Sequence, residues 1–283
     1  MIGAILGDII GSPHEHHATK STDFPLFVRS SCVTDDSVLT IATAHAILDG
    51  VSYADAYRTW ARRYPHAGYG GTFRQWFRQD GAGPYGSWGN GSAMRASPVG
   101  YAWNVVDDVL REAERSAAVT HDHPEGIKGA QAVALGVLLA RGGMSKTDIR
   151  DELTARFKYD LGGTIDAIRP EYALDVSCQG SVPEAIICFL DTGDAEQAIR
   201  AAVSLGGDAG HAGRARPVRG AVSRQMMVVL RGYRRRASAM VTPRTATRSH
   251  TGPVRDPGHR PDEHLPRGID PPGSWPKLPL LLI

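Results

Sequence analysis

Apolar residues recur at steps of three and four positions along most of the first 208 residues of this 283-residue chain. Such spacing places apolar side chains on one face of an α-helix, which can then pack against a core. The pattern is clearest in four segments: 36–49, 127–141, 182–190 and 194–205. No segment shows the sustained alternation of apolar and polar residues that is typical of a half-buried strand. We therefore predict an all-α fold, a compact orthogonal bundle of many helices.

Polar residues mark the starts of two of these helices. Ser145 is followed three residues later by Asp148, and Asp194 is followed by Gln197. At this spacing the first side chain accepts a hydrogen bond from an otherwise unpaired amide of the first helical turn. Residues 64–91, in contrast, are rich in glycine, proline and aromatic residues, which predicts a long loop with short helical pieces.

The first apolar segment, MIGAILGDIIG, combines regularly spaced glycines with one acid. Gly3, Gly7 and Gly11 recur at every fourth position and would leave one helix face without side chains. We therefore expect another helix to approach this face closely. Asp8 interrupts the apolar residues, and an unpaired carboxylate there would cost several kcal/mol, so we expect Asp8 to have a partner.

The composition changes abruptly at Asp208. Residues 1–208 contain 18 Lys and Arg against 26 Asp and Glu, whereas residues 209–283 contain 14 against 4 and hold 10 of the 18 prolines. The chain beyond Arg236 lacks periodicity and cannot bury enough apolar surface to offset the entropy cost of ordering. The sequence therefore predicts a helical domain over 1–208, a basic helical remnant over 209–236, and a disordered tail rich in arginine and proline over 237–283.

Several classes of protein are disfavoured by composition and motifs. The apolar runs at 1–11 and 133–140 are too short to span a membrane, and the first lacks the basic residues of a secretory signal. The basic tail has few aromatic residues and no nucleic-acid-binding motif, so we do not expect a nucleic-acid partner. The odd number of cysteines without metal-ligand spacing favours reduced thiols, and therefore a cytoplasmic protein.

The segment VTDDSV, 33–38, places three oxygen-bearing side chains at the start of an apolar helix. One interpretation is a helix cap with acids in the first turn, where the helix dipole favours negative charge. The other is that Thr34, Asp35 and Asp36 supply hard oxygen ligands to a divalent cation such as Mg²⁺. Glu15, in the polar segment SPHEHH, is either a solvated loop acid or part of the same site.

Two further segments carry candidate chemistry. GNGSAMRASP, 89–98, has small residues before a helix whose backbone amides could hold a phosphate, with Arg95 adding charge. THDHPEG, 120–126, places His121 and His123 just before a helix. Two histidines in this position indicate helix capping or surface polarity more often than catalysis or zinc binding, and no zinc-binding spacing accompanies them.

Together these segments resemble the ADP-ribosylglycohydrolase family. The similar pieces occur in the family's order within residues 1–208: IGAILGDIIGSPHE, DFPLF, TDDSVLTIATA, GNGSAMR, THDHPEGIKGAQA and SLGGD. The resemblance implies an all-α fold with two Mg²⁺ ions at the centre of the site. It also implies cleavage of the glycosidic bond between ADP-ribose and an acceptor, which would be an ADP-ribosylated protein or a small ADP-ribose conjugate.

The resemblance assigns roles to three groups of residues. Those expected to act in catalysis are Glu15 and Asp35. Those expected to bind metal are Thr34, Asp35, Asp36 and Asp208. Asp8 is expected to contact these ligands without binding the metal itself. Those expected to bind the phosphates and ribose of the substrate are Gly89, Asn90, Gly91, Ser92, Ala93, Met94 and His121.

The chain departs from the family pattern immediately after Asp208. The second metal motif of the family reads Asp, any residue, Asp, then Thr or Ser, but Gly210 and His211 occupy the last two positions here. Mg²⁺ demands near-octahedral geometry, so losing two ligands is expected to weaken cation binding. The resemblance therefore predicts a metal-assisted hydrolase, passing through an oxocarbenium-like transition state, with impaired activity.

Two other functions remain open at this level. A protein that keeps the phosphate loop and has lost hydrolysis would bind ADP-ribose without cleaving it. An all-α metal-dependent phosphohydrolase would instead release phosphate from nucleotides.

A shift of reading frame would explain the change of character after Asp208. One extra G before GAC ACG, which encodes Asp-Thr, yields GGA CAC, which encodes the Gly-His found at 210–211. GCA GGC CGC, one set of codons for residues 212–214, contains CAG GCC GC in the other frame, the beginning of Gln-Ala-Ala. GC-rich DNA read out of frame favours arginine, proline, glycine and alanine, in agreement with the composition after Asp208. The alternative is a genuine diverged tail.

Overall fold

The computed structural model describes residues 1–15, 17–173 and 175–206. These residues form eleven α-helices and two short 3-10 helices, and they contain no strand, only one isolated bridge between Gly89 and Ser177. The prediction of an all-α fold is therefore confirmed. Asp208 and the predicted segments 209–236 and 237–283 lie outside the described residues, so the predictions made for them stay predictions.

The α-helices follow one another along the whole described chain. In order they are α1 (Ile2–Gly11), α2 (Asp35–Asp49), α3 (Tyr53–Arg63), α4 (Gly71–Arg78), α5 (Ser97–Ala102), α6 (Val106–Ala118), α7 (Pro124–Arg141), α8 (Lys146–Phe157), α9 (Ile165–Ile168), α10 (Cys178–Asp191) and α11 (Ala195–Ser204). The 3-10 helices are Ser12–His14 and Asn90–Ser92.

Helix α7 lies at the centre of the larger core cluster, where α5, α6, α8 and α10 pack around it. Its residues are apolar on almost every side, which is typical of a helix buried all round. Two glycines allow the closest approaches. A side-chain carbon at Gly100 of α5 would lie 2.3 Å from the carbonyl oxygen of Ala134, and one at Gly129 of α7 would lie 2.4 Å from the sulfur of Cys178. Any larger residue at these positions would force the helices apart.

A second core cluster, rich in aromatic residues, forms where α2, α3 and α4 pack together. Tyr57 is fully buried in it, and its hydroxyl lies 3.0 Å from the hydroxyls of both Thr43 and Ser116. A buried phenol hydroxyl needs such partners, because leaving it unpaired costs free energy. This cluster holds α2, and with it the segment VTDDSV, against the rest of the bundle.

Both predicted helix starts are confirmed. The Ser145 hydroxyl accepts a hydrogen bond from the amide of Asp148 at 3.1 Å, and the Asp194 carboxylate accepts one from the amide of Gln197 at 2.8 Å. Residues 64–91 also agree with the prediction, because they contain one helix of eight residues, α4, between turns and loops.

Within the described ranges, no helix packs against Gly7 and Gly11 of α1 as the spacing predicts. A side-chain carbon at Gly7 or Gly11 would meet no atom within 4 Å among the described residues. Gly3, Gly7 and Gly11 line a cavity instead. The described residues therefore supply no closely packed helix at Gly7 and Gly11. Glycine spacing shows which face lacks side chains, but it does not show what lies opposite that face.

None of the helices in the described ranges has both the length and the apolar character needed to cross a membrane.

Candidate active site

Residues from widely separated parts of the sequence line one cavity of about 660 Å³. Its walls include α1 and the 3-10 turn after it, the first turn of α2, the segment 68–73 at the start of α4, the loop before α5, the segment before α7, and residues of α10 and α11. The predicted site residues that line it are Asp8, Glu15, Asp35, Asp36, Gly89, Asn90, Gly91, Ala93, Met94 and His121. Thr34 and Ser92 are buried and are not among the lining residues.

Asp8 caps helix α2 from the neighbouring helix α1. Its carboxylate accepts hydrogen bonds from the amides of Thr34 and Ser37, at 3.0 and 3.2 Å, and from the hydroxyls of both residues. The side chain of Thr34 itself makes no capping bond to α2, although Thr34 occupies the N-cap position. The partner expected for Asp8 is therefore the start of α2. Burial raises the pKa of Asp8, and these hydrogen bonds act in the opposite direction because they stabilise the carboxylate.

Asp8 caps helix α2, and the two acids of the first turn of α2 lie at the cavity wall. Asp35 and Asp36 are both half-buried, and both line the cavity. The carboxylate of Asp35 also acts on Tyr69, whose pKa is raised mainly by burial and further by that negative charge. The same helix start thus serves as a capped helix terminus and as a source of two carboxylates for the cavity.

Glu15 directly follows the 3-10 helix Ser12–His14. The hydroxyl of Ser12 donates to the carbonyl of Ile9 at 3.0 Å and accepts from the amide of Cys32 at 2.9 Å, which ties this turn to the segment leading into α2. Burial raises the pKa of Cys32, and the nearby carboxylates of Glu15 and Asp8 raise it further. Glu15 and Asp8 therefore share one electrostatic environment beside the start of α2.

The loop from Gly89 to Met94 is fixed by hydrogen bonds to helices on both sides. The amide of Asn90 donates to the carbonyl of Val176 at 2.8 Å, and the Ser92 hydroxyl donates to the carbonyl of Gly126 at 2.7 Å. The side-chain amide of Asn90 reaches the hydroxyl of Ser181 on α10 at 3.3 Å. The backbone of this loop is consequently held in place before any ligand binds.

The two histidines of THDHPEG have different roles. His123 is the N-cap of α7, and its Nδ1 accepts a hydrogen bond from the amide of Glu125 at 3.1 Å. His121 is 5% exposed and lines the cavity beside the loop at 89–91. Burial and the charge of Arg95 lower the pKa of His121 well below 6.5, so this imidazole is neutral at physiological pH. The capping interpretation therefore holds for His123 and not for His121.

Helix α10 contributes an acid that the sequence analysis missed. Glu184 is half-buried and lines the cavity, and one of its carboxylate oxygens has no hydrogen-bond partner among the described residues. Burial raises its pKa, and the charge of Asp175 raises it further. The available signal was the one used for Asp8, an acid within an apolar helix, since Glu184 stands in SVPEAIICFL.

The described residues offer oxygen donors for a cation but no complete cluster of metal ligands. Asp35 and Asp36 supply carboxylate oxygens at the cavity wall, the donor type that Mg²⁺ prefers, while the hydroxyl of Thr34 is buried and donates to Asp8. Across residues 1–15, 17–173 and 175–206 no group of three or more His, Cys, Asp or Glu is placed to hold a metal ion. This donor set fits an Mg²⁺ ion that keeps several waters, because such an ion uses only one or two protein carboxylates.

Comparison with known proteins finds similarity to one family. The family model described as ADP-ribosylglycohydrolase matches residues 1–214. Proteins named ADP-ribosylhydrolase ARH3 are similar in sequence. The one from Xenopus tropicalis is 27% identical over 189 residues, which cover 56% of this chain and 54% of that protein. The one from Mus musculus is 30% identical over 183 residues, which cover 52% of this chain and 50% of that protein.

The chain therefore spans about half the length of the curated relatives that it matches. A solved structure described as an ADP-ribosylglycohydrolase-related protein complex superposes with a TM-score of 0.60 at 20% sequence identity. That alignment covers 83% of this chain and 95% of the solved one, and it supports the all-α fold.

Proposed function

This chain belongs to the ADP-ribosylglycohydrolase family, and from that premise we propose that its cavity binds the ADP-ribosyl part of a conjugate and hydrolyses the bond to the acceptor. The observation that carries the proposal is the shared cavity itself. Glu15, Asp35 and Asp36, residues 89–91, 93 and 94 of the loop, and His121 lie in separate segments of the sequence, yet they line one space of about 660 Å³. A cavity of this size lies within the usual range for small-ligand sites.

Hydrolysis replaces the bond between C1″ of the ribose and the acceptor by a bond between C1″ and the oxygen of water. One hydrogen of that water ends on the atom that leaves. A carboxyl group can carry this proton, as in other glycoside hydrolases. Glu15 is the proposed acid and base, because it is half-buried in the cavity wall beside the start of α2.

The remaining residues bind and orient the substrate. The loop 89–94 is held by the hydrogen bonds of Asn90 and Ser92, so it can receive phosphate oxygens without reorganising. Asp8 fixes the first turn of α2 and with it the positions of Asp35 and Asp36. Thr34, Asp35 and Asp36 would hold Mg²⁺, together with Asp208. When bound, the ion would supply positive charge to ligand hydroxyls and water.

Activity of this chain is proposed to be weak, because the motif after Asp208 has Gly210 and His211 where the resemblance implies Asp and Thr. The same observation favours a second candidate function, the binding of ADP-ribose without hydrolysis. The proposed substrate is an ADP-ribosylated protein or a small ADP-ribose conjugate.

One experiment separates these functions. The full-length chain is incubated with an ADP-ribosylated protein in Mg²⁺ and in excess chelator, and released ADP-ribose is measured by chromatography. Mg²⁺-dependent release supports the hydrolase. Binding of ADP-ribose by calorimetry without any release identifies a binding protein. Inorganic phosphate released from a nucleotide, with no ADP-ribose released from the conjugate, would identify a phosphohydrolase.

A further inference from the structure

Arg95 is a buried cation without a carboxylate partner among the described residues. Its side chain is 0% exposed, and its guanidinium carbon lies 4.1 Å from the centre of the Tyr57 ring. No ion pair of the described chain includes it, and its Nε and Nη1 atoms have no hydrogen-bond partner there. Burial of a charge without a charged partner costs free energy, so the stability of Arg95 in this position depends on the hydrogen bonds that it makes.

Those hydrogen bonds lead from Arg95 to His121. Nη2 of Arg95 donates to the hydroxyl of Thr120 at 2.8 Å and to the carbonyl of Ser116 at 3.3 Å. The Thr120 hydroxyl in turn lies 2.7 Å from Nδ1 of His121. All three side chains are buried, with exposures of 0%, 0% and 5% for Arg95, Thr120 and His121. The three side chains are therefore joined by a series of hydrogen bonds that is shielded from water.

The other nitrogen of His121 faces the loop that is proposed to bind phosphate. A side-chain carbon at Gly91 would lie 3.1 Å from Nε2 and 3.3 Å from Cε1 of His121. At Gly89 such a carbon would lie 3.8 Å from Nε2. The absence of a side chain at Gly91 thus leaves room beside Nε2, on a residue that lines the cavity.

The positions of the hydrogens follow from which groups can donate. A guanidinium can only donate, so the Thr120 oxygen must accept from Arg95. The Thr120 hydroxyl has one hydrogen of its own, and Nδ1 of His121 is the acceptor within hydrogen-bond distance among the described residues. A hydroxyl that accepts a charged hydrogen bond is polarised and becomes a better donor. If Thr120 donates to Nδ1, the single hydrogen of the neutral imidazole stands on Nε2.

We propose that Arg95 and Thr120 are positioning residues that hold His121 in the form with its hydrogen on Nε2, so that Nε2 donates to a ligand oxygen beside Gly91. The identity of that oxygen, on a phosphate or a hydroxyl of ADP-ribose, rests on the proposed function. The assignment of the His121 tautomer does not depend on the proposed function. In this arrangement the donor is set before the ligand arrives, which reduces the cost of organising the site on binding.

The test is the ring ¹⁵N spectrum of the full-length protein, with ¹⁵N-labelled histidine. His45 and His123 serve as internal references, because Nδ1 of His45 accepts from Trp60 Nε1 at 3.1 Å and Nδ1 of His123 accepts from the Glu125 amide. A His121→Gln protein assigns the signals of His121. We expect a protonated Nε2 and a hydrogen-bonded, unprotonated Nδ1. A hydrogen on Nδ1 overturns the proposal.

Two variants of Thr120 test the hydrogen bond between Thr120 and His121, through which Arg95 would act. Thr120→Val removes the hydroxyl while keeping the shape of the side chain. In this variant the Nδ1 signal of His121 should move toward that of a nitrogen without a hydrogen bond. Thr120→Ser keeps the hydroxyl and should restore the wild-type signal. An Nδ1 signal that is the same in Thr120→Val as in the wild type would contradict the relay. If Thr120→Val does not fold, the wild-type spectrum still decides the tautomer.

Calorimetry with ADP-ribose separates failure of this inference from failure of the proposed function. We expect Thr120→Val to bind about five- to tenfold more weakly than the wild type, and Thr120→Ser to bind nearly as well. Equal affinity in the wild type and Thr120→Val would overturn the role given to Nε2. No binding by the wild type, together with the expected tautomer, would reject the proposed function and the ligand contact while leaving the relay in place.

Discussion

The carboxylate of Asp8 on α1 accepts hydrogen bonds from both the backbone amide and the side-chain hydroxyl of Thr34, at 3.0 and 2.5 Å. Thr34 is the first residue of the segment proposed to bind metal, and it stands at the N-cap of α2. One carboxylate thereby joins the first two helices and sets where the first turn of α2 begins. The side chains of Asp35 and Asp36 remain at the cavity wall.

Replacing Asp8 tests this capping. Asp8→Ala leaves the amides of Thr34 and Ser37 without their acceptor, and we expect it to lower the free energy of unfolding by about 2 kcal/mol. Asp8→Asn keeps one acceptor oxygen and should cost less than half as much. Urea denaturation of the three proteins measures both effects. Equal stability of Asp8→Ala and the wild type would show that α2 does not depend on this cap.

Asp35→Ala should remove whatever Mg²⁺ binding the chain has, because the side chain is proposed as a ligand and is not part of the core. The matched control is Asp107→Ala, which removes another first-turn acid, on α6, away from the cavity. Loss of the interaction with the helix dipole costs under about 1 kcal/mol in either variant, so both should keep their helical content. Calorimetric titration with Mg²⁺ and the release of ADP-ribose provide the readouts. Unchanged Mg²⁺ affinity in Asp35→Ala would contradict the assignment of Asp35 as a metal ligand.

A methyl group at Gly100 should disrupt the crossing of α5 and α7. The new carbon would lie 2.3 Å from the carbonyl oxygen of Ala134 and 2.7 Å from Cβ of Val137, too close without movement of the backbone. We expect Gly100→Ala to destabilise the protein by about 1–3 kcal/mol. Gly136→Ala is the control, because its nearest contact is Leu153 at 3.6 Å and alanine favours the helix by up to about 1 kcal/mol. Thermal unfolding that ranks the two variants in the opposite order would refute the close crossing.

The neutral, buried His121 predicts that acid destabilises the fold. Its pKa is far below 6.5 in the folded state, while the unfolded chain takes up a proton near pH 6.5. The unfolded state therefore binds more protons below this pH, and the stability contributed at neutral pH is lost as pH falls, by up to about 1.4 kcal/mol per pH unit. Urea unfolding of the wild type and His121→Asn at about pH 7 and about pH 5 isolates this contribution. Equal pH dependence of the two proteins would contradict a depressed pKa.

The coding DNA tests the origin of the chain after Asp208. We expect removal of one G before codon 210 to give Asp-Thr followed by an alanine-rich apolar helix, in place of the Gly-His at 210–211. Reading codons 208–283 in all three frames is the measurement. If no frame gives Asp-Thr followed by such a helix, the tail is native. If one does, the protein with the restored frame should bind Mg²⁺ and release ADP-ribose more strongly than the present chain.

The sequence alone determined the helices, because the features that define them are local. The spacing of apolar residues located α2, α7, α10 and α11, and the side chains of Ser145 and Asp194 marked where two helices begin. Resemblance to a family then pointed to residues of separate segments, such as Glu15 and His121, and the fold places these two in the wall of the same cavity.

The tertiary structure decided which residues meet. An acid on an apolar helix indicated that Asp8 needs a partner, but only the crossing of α1 and α2 identifies that partner as the amides and hydroxyls of Thr34 and Ser37. The spacing of glycines on α1 predicted a neighbouring helix, yet in the described part of the chain that face lines the cavity. Periodicity reports which face of a helix is apolar or bare, and it carries no information about the angle at which two helices cross.

Arg95 and Glu184 show the same limit at the site. Arg95 was noted in the sequence as a possible charge for phosphate, whereas the fold buries it against Tyr57 and directs it to Thr120. Glu184 was not noted in the sequence, although it interrupts an apolar helix as Asp8 does, and only the fold shows that it lines the cavity. The free energies of desolvation and hydrogen bonding depend on neighbours that are distant in sequence, so packing alone determines them.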